Sequence, residues 1–284
     1  MGLLAALFWG ITDFLVGINA RTFGVKRAVF ISQSFGMLLM ALILITTEHW
    51  KILFSAPAAI IALGITASLF TLTGALALSK ALQIGKTSIV APLVTTYGSF
   101  TTLLAWLTGE LLSGWQLLGT LACTIGVFLA SASRAERGIN QATQSNTPII
   151  YALLAAMLYG TSFWIQGKFV LPTLGPVNML ALGYTIGVPL LIMELIKFSR
   201  APVRLSFSAV MSLLGASAFN LLAFYFFSWG ALNGAISIVT VVSTLSGAIA
   251  AFLGFLFLQE RLSLLQFYGV GLAIAGAASI HFFG

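Results

Sequence analysis

Long apolar runs alternate along this chain with short stretches of charged and turn-forming residues, and the apolar runs number ten. They cover residues 2–20, 28–47, 56–79, 87–108, 114–133, 148–168, 177–197, 208–230, 235–257 and 263–283. Each holds about 20 residues, the length that carries a helix across a hydrocarbon core roughly 30 Å thick. Inside hydrocarbon a spanning segment has to satisfy its own backbone hydrogen bonds, so the runs read as helices. The apolar–polar alternation of a membrane barrel is absent. One connection is long and polar, Arg134 to Asn146 followed by Thr147 and Pro148, and it falls near mid-chain. The pattern therefore predicts an all-α polytopic membrane protein of ten transmembrane helices. Five lie in residues 1–133 and five in 148–284, on either side of a cytoplasmic linker at 134–147.

The two halves repeat each other. Leu3-Leu-Ala-Ala-Leu-Phe-Trp-Gly10 matches Leu153-Leu-Ala-Ala-Met-Leu-Tyr-Gly160, and Gly17 matches Gly167, each pair 150 residues apart. Gly85-Lys-Thr-Ser-Ile-Val90 matches Gly234-Ala-Ile-Ser-Ile-Val239, with Thr95 on Thr244 and Gly98 on Gly247. Glu110, Ser113, Gln116, Gly119 and Gly126 match Glu260, Ser263, Gln266, Gly269 and Gly276. Five spans is an odd number, so the second copy enters the membrane from the opposite side. The expectation is an inverted repeat, an architecture associated with alternating-access transporters.

Charge sets the orientation. The loops after spans one, three, five, seven and nine carry Arg21, Lys26, Arg27, Lys80, Lys86, Arg134, Arg137, Lys197, Arg200, Arg204 and Arg261. The other side carries Lys51 and Lys168. Basic loops stay cytoplasmic, so both termini are expected outside. A bacterial inner membrane is the expected location. Composition agrees: 60% of the 284 residues are hydrophobic and 7% charged, against about 25% charged in soluble domains. Mean hydropathy is +1.07. The net charge of +7 is spread over short loops, which excludes a nucleic-acid surface as its explanation. Cys123 is the single cysteine, so no internal disulfide can form, and metal-binding spacings are absent. The apolar N-terminus has no positive residue before Arg21, so it reads as a retained span and not a secretory signal.

A Gly-Glu-x-x-Ser…Gln-x-x-Gly run joins the last two spans of the first copy, from Gly109 through Glu110, Ser113 and Gln116 to Gly119. The second copy repeats it from Gln259, which replaces the glycine, through Glu260, Ser263 and Gln266 to Gly269. With ten spans and a five-span duplication, the chain resembles the drug/metabolite transporter superfamily, most closely its EamA-type members. The resemblance covers essentially the whole chain. It implies a basket of helices around a cavity lined by spans one, three, four, six, eight and nine. It also implies export or exchange of amino acids or similar small metabolites without ATP hydrolysis.

The candidate cavity residues are the polar and aromatic side chains within the spans. Asp13 leads them, because a carboxylate at a helix centre is unfavourable in a bilayer by roughly 2.5–3.5 kcal/mol unless its surroundings compensate. It suits a substrate ammonium or a proton, and equally a helix-pairing role. Trp9, Gly10, Asp13 and Gly17 share a stripe at 100° per residue. The second copy has Phe163 in place of Asp13 and offers the amide Gln166 together with Tyr159 and Trp164, two aromatics with polar handles that suit amphipathic solutes. Asn220 lies deep in span eight with Ser217 and Phe224 on its stripe, and Gln33 is a weaker counterpart in span two. Pro92 is expected to open span four near its start, with Thr95 and Tyr97 following. Glu110 and Glu260 read as caps of the helices that follow them.

These features predict a secondary transporter that exports or exchanges small metabolites, amino acids foremost, by alternating access. No cofactor is expected, and a proton is the candidate coupling ion. The bilayer and a small-molecule substrate are the expected partners, for a monomer or homodimer. One alternative is a multidrug exporter of cationic compounds with the same fold. A second is an intramembrane serine protease using Gly215-Ala-Ser217 with His281, although Gly-x-Ser arises readily by accident among 28 glycines. Zinc-hydrolase and P-loop patterns are absent.

Overall fold

The computed structural model describes residues 1–131, 146–198, 206–259 and 263–283, and every element among them is helical. The first half holds α1 (Gly2–Phe23), α2 (Val25–Thr47), a short α3 (Trp50–Ser55), α4 (Ala58–Ile84), α5 (Thr87–Val94), α6 (Tyr97–Leu107) and α7 (Gly114–Ser131). The second holds α8 (Thr147–Ile165), a π-helical segment (Gln166–Val170), α9 (Leu171–Phe198), α10 (Phe207–Asn233), α11 (Ile236–Ser243), α12 (Leu245–Leu258) and α13 (Leu264–Phe283). The expected linker at 134–147 lies outside the described residues, apart from Asn146 and Thr147 at the start of α8.

Seven stretches of the described residues are long and apolar enough to cross a membrane. One of them, Thr147–Ile192, is 46 residues long. As a straight helix it would measure about 70 Å, twice what a bilayer needs. It is broken at Gly175, where φ is 70° and ψ 173°, a backbone open to glycine but not to side-chain-bearing residues. The sequence places spans six and seven on either side of this break, and the structure joins them by helix where a loop was expected. Leu38, Ile45, Leu107, Phe207 and Phe257 are each more than half exposed. Water would penalise such a surface, and lipid accepts it.

Spans four and nine are each a pair of helices. At Thr95, Thr96 and Thr244, ψ lies between −5° and −16°, the tight turn of a 3₁₀ helix. Thr95 and Thr96 donate their hydroxyls to the carbonyls of Pro92 and Leu93 at 2.7 and 2.9 Å. Thr244 donates to Val241 at 2.5 Å. Hydroxyls competing for backbone carbonyls account for both pinches. Pro92 sits within α5, not at the break, and the matching break at Thr244 has no proline at all.

Contacts between elements fix their directions. Arg21 donates to the Gly85 carbonyl at 3.0 Å, and Gln83 to the Ala20 carbonyl at 3.0 Å. A Cβ on Gly85 would lie 2.9 Å from Pro148 Cβ, and Asn19 bonds Ser212. The ends of α1 and α4 thus gather with the starts of α5, α8 and α10 on one face, called the basic face below. On the opposite face Lys168 donates to the Thr108 carbonyl, and a Cβ on Gly230 would lie 3.1 Å from Met1 Cβ. Helices α1 and α8, counterparts in the repeat, run in opposite directions.

Where the halves meet, the contacts come in reciprocal pairs. A Cβ on Gly98 would meet Thr244 Cγ2 at 2.5 Å, and one on Gly247 would meet Thr95 Cγ2 at 2.8 Å. Gly36 lies under the ring of Tyr184, and Gly187 under the amide of Gln33. Along α7 and α13, Gly126 faces the backbone of Ala273, and Gly276 that of Cys123. Small residues let these helices approach closely, and each contact is swapped between the halves.

Candidate functional site

A cavity between the helices encloses about 1250 Å³ including its open mouth. Helix α1 supplies Trp9, Thr12, Asp13, Val16 and Asn19 to its wall. Gly10 and Gly17, expected on the same stripe, point elsewhere: Gly10 packs on Ile249 and Ser246, and Gly17 faces Thr87 and Leu82. The cavity face of α1 is therefore offset from its packing face by about a third of a turn. Of the other candidates, Tyr97, Tyr159, Gln166 and Asn220 reach the lining. So do Ser217 and Phe224 on the Asn220 stripe, and Gln33.

Three candidates are placed outside it. Thr95 and Pro92 are buried where α5 crosses α12, against Gly247. Trp164 donates to Thr108 Oγ1 at 3.1 Å and stacks edge-on against Phe169, tying α8 to the end of α6. The lining also draws on spans two and seven, through Ala28, Val29, Ser32 and Gln33, and through Met179, Leu180, Gly183 and Tyr184. The family resemblance did not imply these two spans. Tyr184 was missed altogether, although a tyrosine within an apolar run was the available signal.

Among the described residues Asp13 is the sole charged side chain in the lining, with no lysine, arginine or histidine beside it. It is 8% exposed. Among the described residues its carboxylate has no hydrogen bond and no ion pair. A buried charge in that state is unfavourable by several kcal/mol unless water or a ligand reaches it. An aromatic cluster forms another part of the wall. Phe163, at the repeat position of Asp13, stacks with Trp9 at 5.4 Å and Tyr159 at 5.8 Å, and tilts against Phe227 at 4.7 Å. Tyr97 meets the Phe163 ring edge-on at 5.1 Å, and its hydroxyl shares a 2.9 Å hydrogen bond with Ser243. One repeat position thus carries the charge in the first half and the aromatic hub in the second.

Gln166 opens the π segment, a distortion common at functional sites. Its amide donates to Ser162 at 2.9 Å and to Thr71 at 3.4 Å, and Ser162 donates on to the Ala67 carbonyl at 2.7 Å. That network ties α8 to α4. Ser217 donates to the Ser32 carbonyl at 3.0 Å, a helix-to-helix contact that gives this serine a structural role.

The run between α6 and α7, repeated between α12 and α13, divides its work. Ser113 and Gln116 bond each other's backbone N–H at 3.2 and 2.7 Å, and Ser263 and Gln266 do the same at 3.3 and 2.8 Å. These are capping boxes for α7 and α13. Glu110, expected to cap α7, reaches the other half instead. Its carboxylate accepts from the backbone N–H of Ser237 at 3.2 Å and from the Ser237 hydroxyl, and so caps α11. Glu260 lies outside the described residues, as does the side chain of His281.

The EamA-like transporter family profile matches residues 1–132 and 146–282, one copy on each half. A solved crystal structure of a protein shares this fold with a TM-score of 0.76 at 18% identity, covering 98% of this chain and 94% of the other. Among curated proteins none matches.

Proposed function

The chain belongs to the EamA-like transporter family and is a membrane transporter, and we propose that it exports or exchanges small ammonium-bearing metabolites, amino acids foremost, by alternating access. In this reading the 46-residue stretch crosses twice about Gly175, α7 and α13 also cross, and the crossings total ten. The halves are inverted copies, as the opposed directions of α1 and α8 support. The basic face is cytoplasmic, in a bacterial inner membrane. The cavity lining reaches Asn19, Ala28 and Ser79, all close to helix ends on that face. On the far face, the contacts of Glu110, Lys168 and Trp164 hold the halves together. This arrangement fits a state with access from the cytoplasm.

The observation that carries the reading is the lone carboxylate of Asp13 in a polar and aromatic cavity. An ammonium group there gains a charge-assisted hydrogen bond and the faces of nearby aromatic rings. The test is uptake of radiolabelled amino acids into liposomes by wild type and Asp13→Asn. Saturable uptake that accelerates with solute on the far side, and falls at least tenfold in the variant, is expected. Uptake unchanged in Asp13→Asn would remove the carboxylate from the site.

A second reading, an exporter of cationic compounds, is favoured by one observation: among the described residues the lining offers no cationic side chain to a solute carboxylate. Competition of amino acids against simple amines separates the two.

A further inference from the structure

We propose that Gln33 determines specificity in this cavity, its amide nitrogen receiving the carboxylate end of a solute whose ammonium end meets Asp13. The proposal rests on the reading of Asp13 given above. It begins with the packing of α2 on α9. The absent side chain of Gly187 lets the Gln33 amide lie against that helix, and a Cβ there would come within 3.2 Å of it. Gln33 Oε1 is sealed from solvent and has no hydrogen-bond partner among the described residues, while the side chain as a whole lines the cavity. The amide nitrogen is therefore the polar atom left for the cavity.

Other neutral groups stand beside it. The Tyr184 ring is seated on Gly36, the reciprocal of the Gln33–Gly187 contact. Its hydroxyl lies beside the amide of Asn220, and all three residues line the cavity. A neutral donor suits a carboxylate that arrives with its own positive charge, because the zwitterion adds no net charge to a site already holding Asp13. A bare amine entering the same cavity would strip water from the Gln33 N–H and return nothing to it. Sites of this kind reject the analogue that lacks the partner group. A hydrogen bond to a charged group sets the expected preference at about tenfold or more.

The experiment measures competition for uptake into liposomes with three pairs, each an amino acid and the amine left when its carboxylate is removed. They are L-alanine and ethylamine, L-leucine and 3-methylbutylamine, and L-lysine and 1,5-diaminopentane. In wild type the amino acid of at least one pair is expected to win by about tenfold or more. Gln33→Leu and the near-isosteric Gln33→Met should both collapse that ratio towards one while still moving the amine, which shows that they fold. Gln33→Glu should reverse it. A preference that survives in both apolar variants, or amines that match or beat their amino acids in wild type, overturns the role of Gln33. If the amines move and depend on Asp13, that failure leaves the ammonium site standing. If no member of any pair moves, or if none depends on Asp13, the underlying reading falls and this one with it.

Discussion

Replacing Gly126 by alanine probes a close backbone contact between the two halves. A Cβ at Gly126 would stand 2.4 Å from the Ala273 nitrogen and 2.6 Å from the Gly269 carbonyl oxygen, where ordinary contact begins at 3.4 Å. The obstructing atoms are backbone, so they cannot rotate away. Helices α7 and α13 must separate by about 1 Å, and overpacking of this kind destabilises by roughly 1–3 kcal/mol. Gly271 in α13 is the control, since a Cβ there meets nothing within 4 Å. Alanine at that helix-interior position should stabilise by about 0.5–1 kcal/mol. The same substitution is thus expected to shift thermal unfolding in detergent in opposite directions, at roughly 2–4 °C per kcal/mol. Gly276→Ala would press on the Cys123 nitrogen at 2.6 Å and should resemble Gly126→Ala. One separation of the helices relieves both clashes, so the double variant should lose less than the sum of the two. Equal melting temperatures for Gly126→Ala and Gly271→Ala would refute the reciprocal packing, as would strict additivity of the glycine pair.

Two further outcomes are expected. Glu110→Gln weakens the hydrogen bonds that cap α11 and should lower stability by about 1 kcal/mol, with Glu110→Ala losing more; unfolding curves that coincide with wild type would show that the link between the halves carries no energy. In a Cys123→Ala background, Lys80→Cys should react with a membrane-impermeant maleimide from the cytoplasmic face alone and Lys51→Cys from the external face alone. Both reacting from one face would overturn the proposed orientation.

The Asp13 and Gln33 experiments differ in what they ask of the fold. Asp13 tests a group whose oddity is visible in one dimension: an acid among Phe14, Leu15 and Val16. Gln33 tests a group whose meaning depends on a glycine of another helix, far away in sequence.

That difference marks the division between sequence and tertiary structure throughout the molecule. The helices, their membrane-spanning length and the two-fold repetition were legible from the sequence, because apolar length and backbone self-satisfaction are local properties of a segment. Asp13, Trp9, Tyr97, Tyr159, Gln166 and Asn220 could be picked out as polar or aromatic residues that apolar surroundings disfavour. Which of the candidates share a cavity was not legible. Thr95 and Pro92 look as promising as Tyr97 along the chain, yet they meet Gly247, because α12 crosses α5 on the side that carries them. Gly10 and Gly17 share a stripe with Asp13 on a helical wheel, but the packed face is centred about a third of a turn from the cavity face, and only neighbouring helices decide which is which. Glu110 had a nearby helix to cap and caps a distant one, since Ser113 and Gln116 already satisfy the nearer N-terminus. A side chain's partner is set by where other helices stand, and that information resides in no single segment.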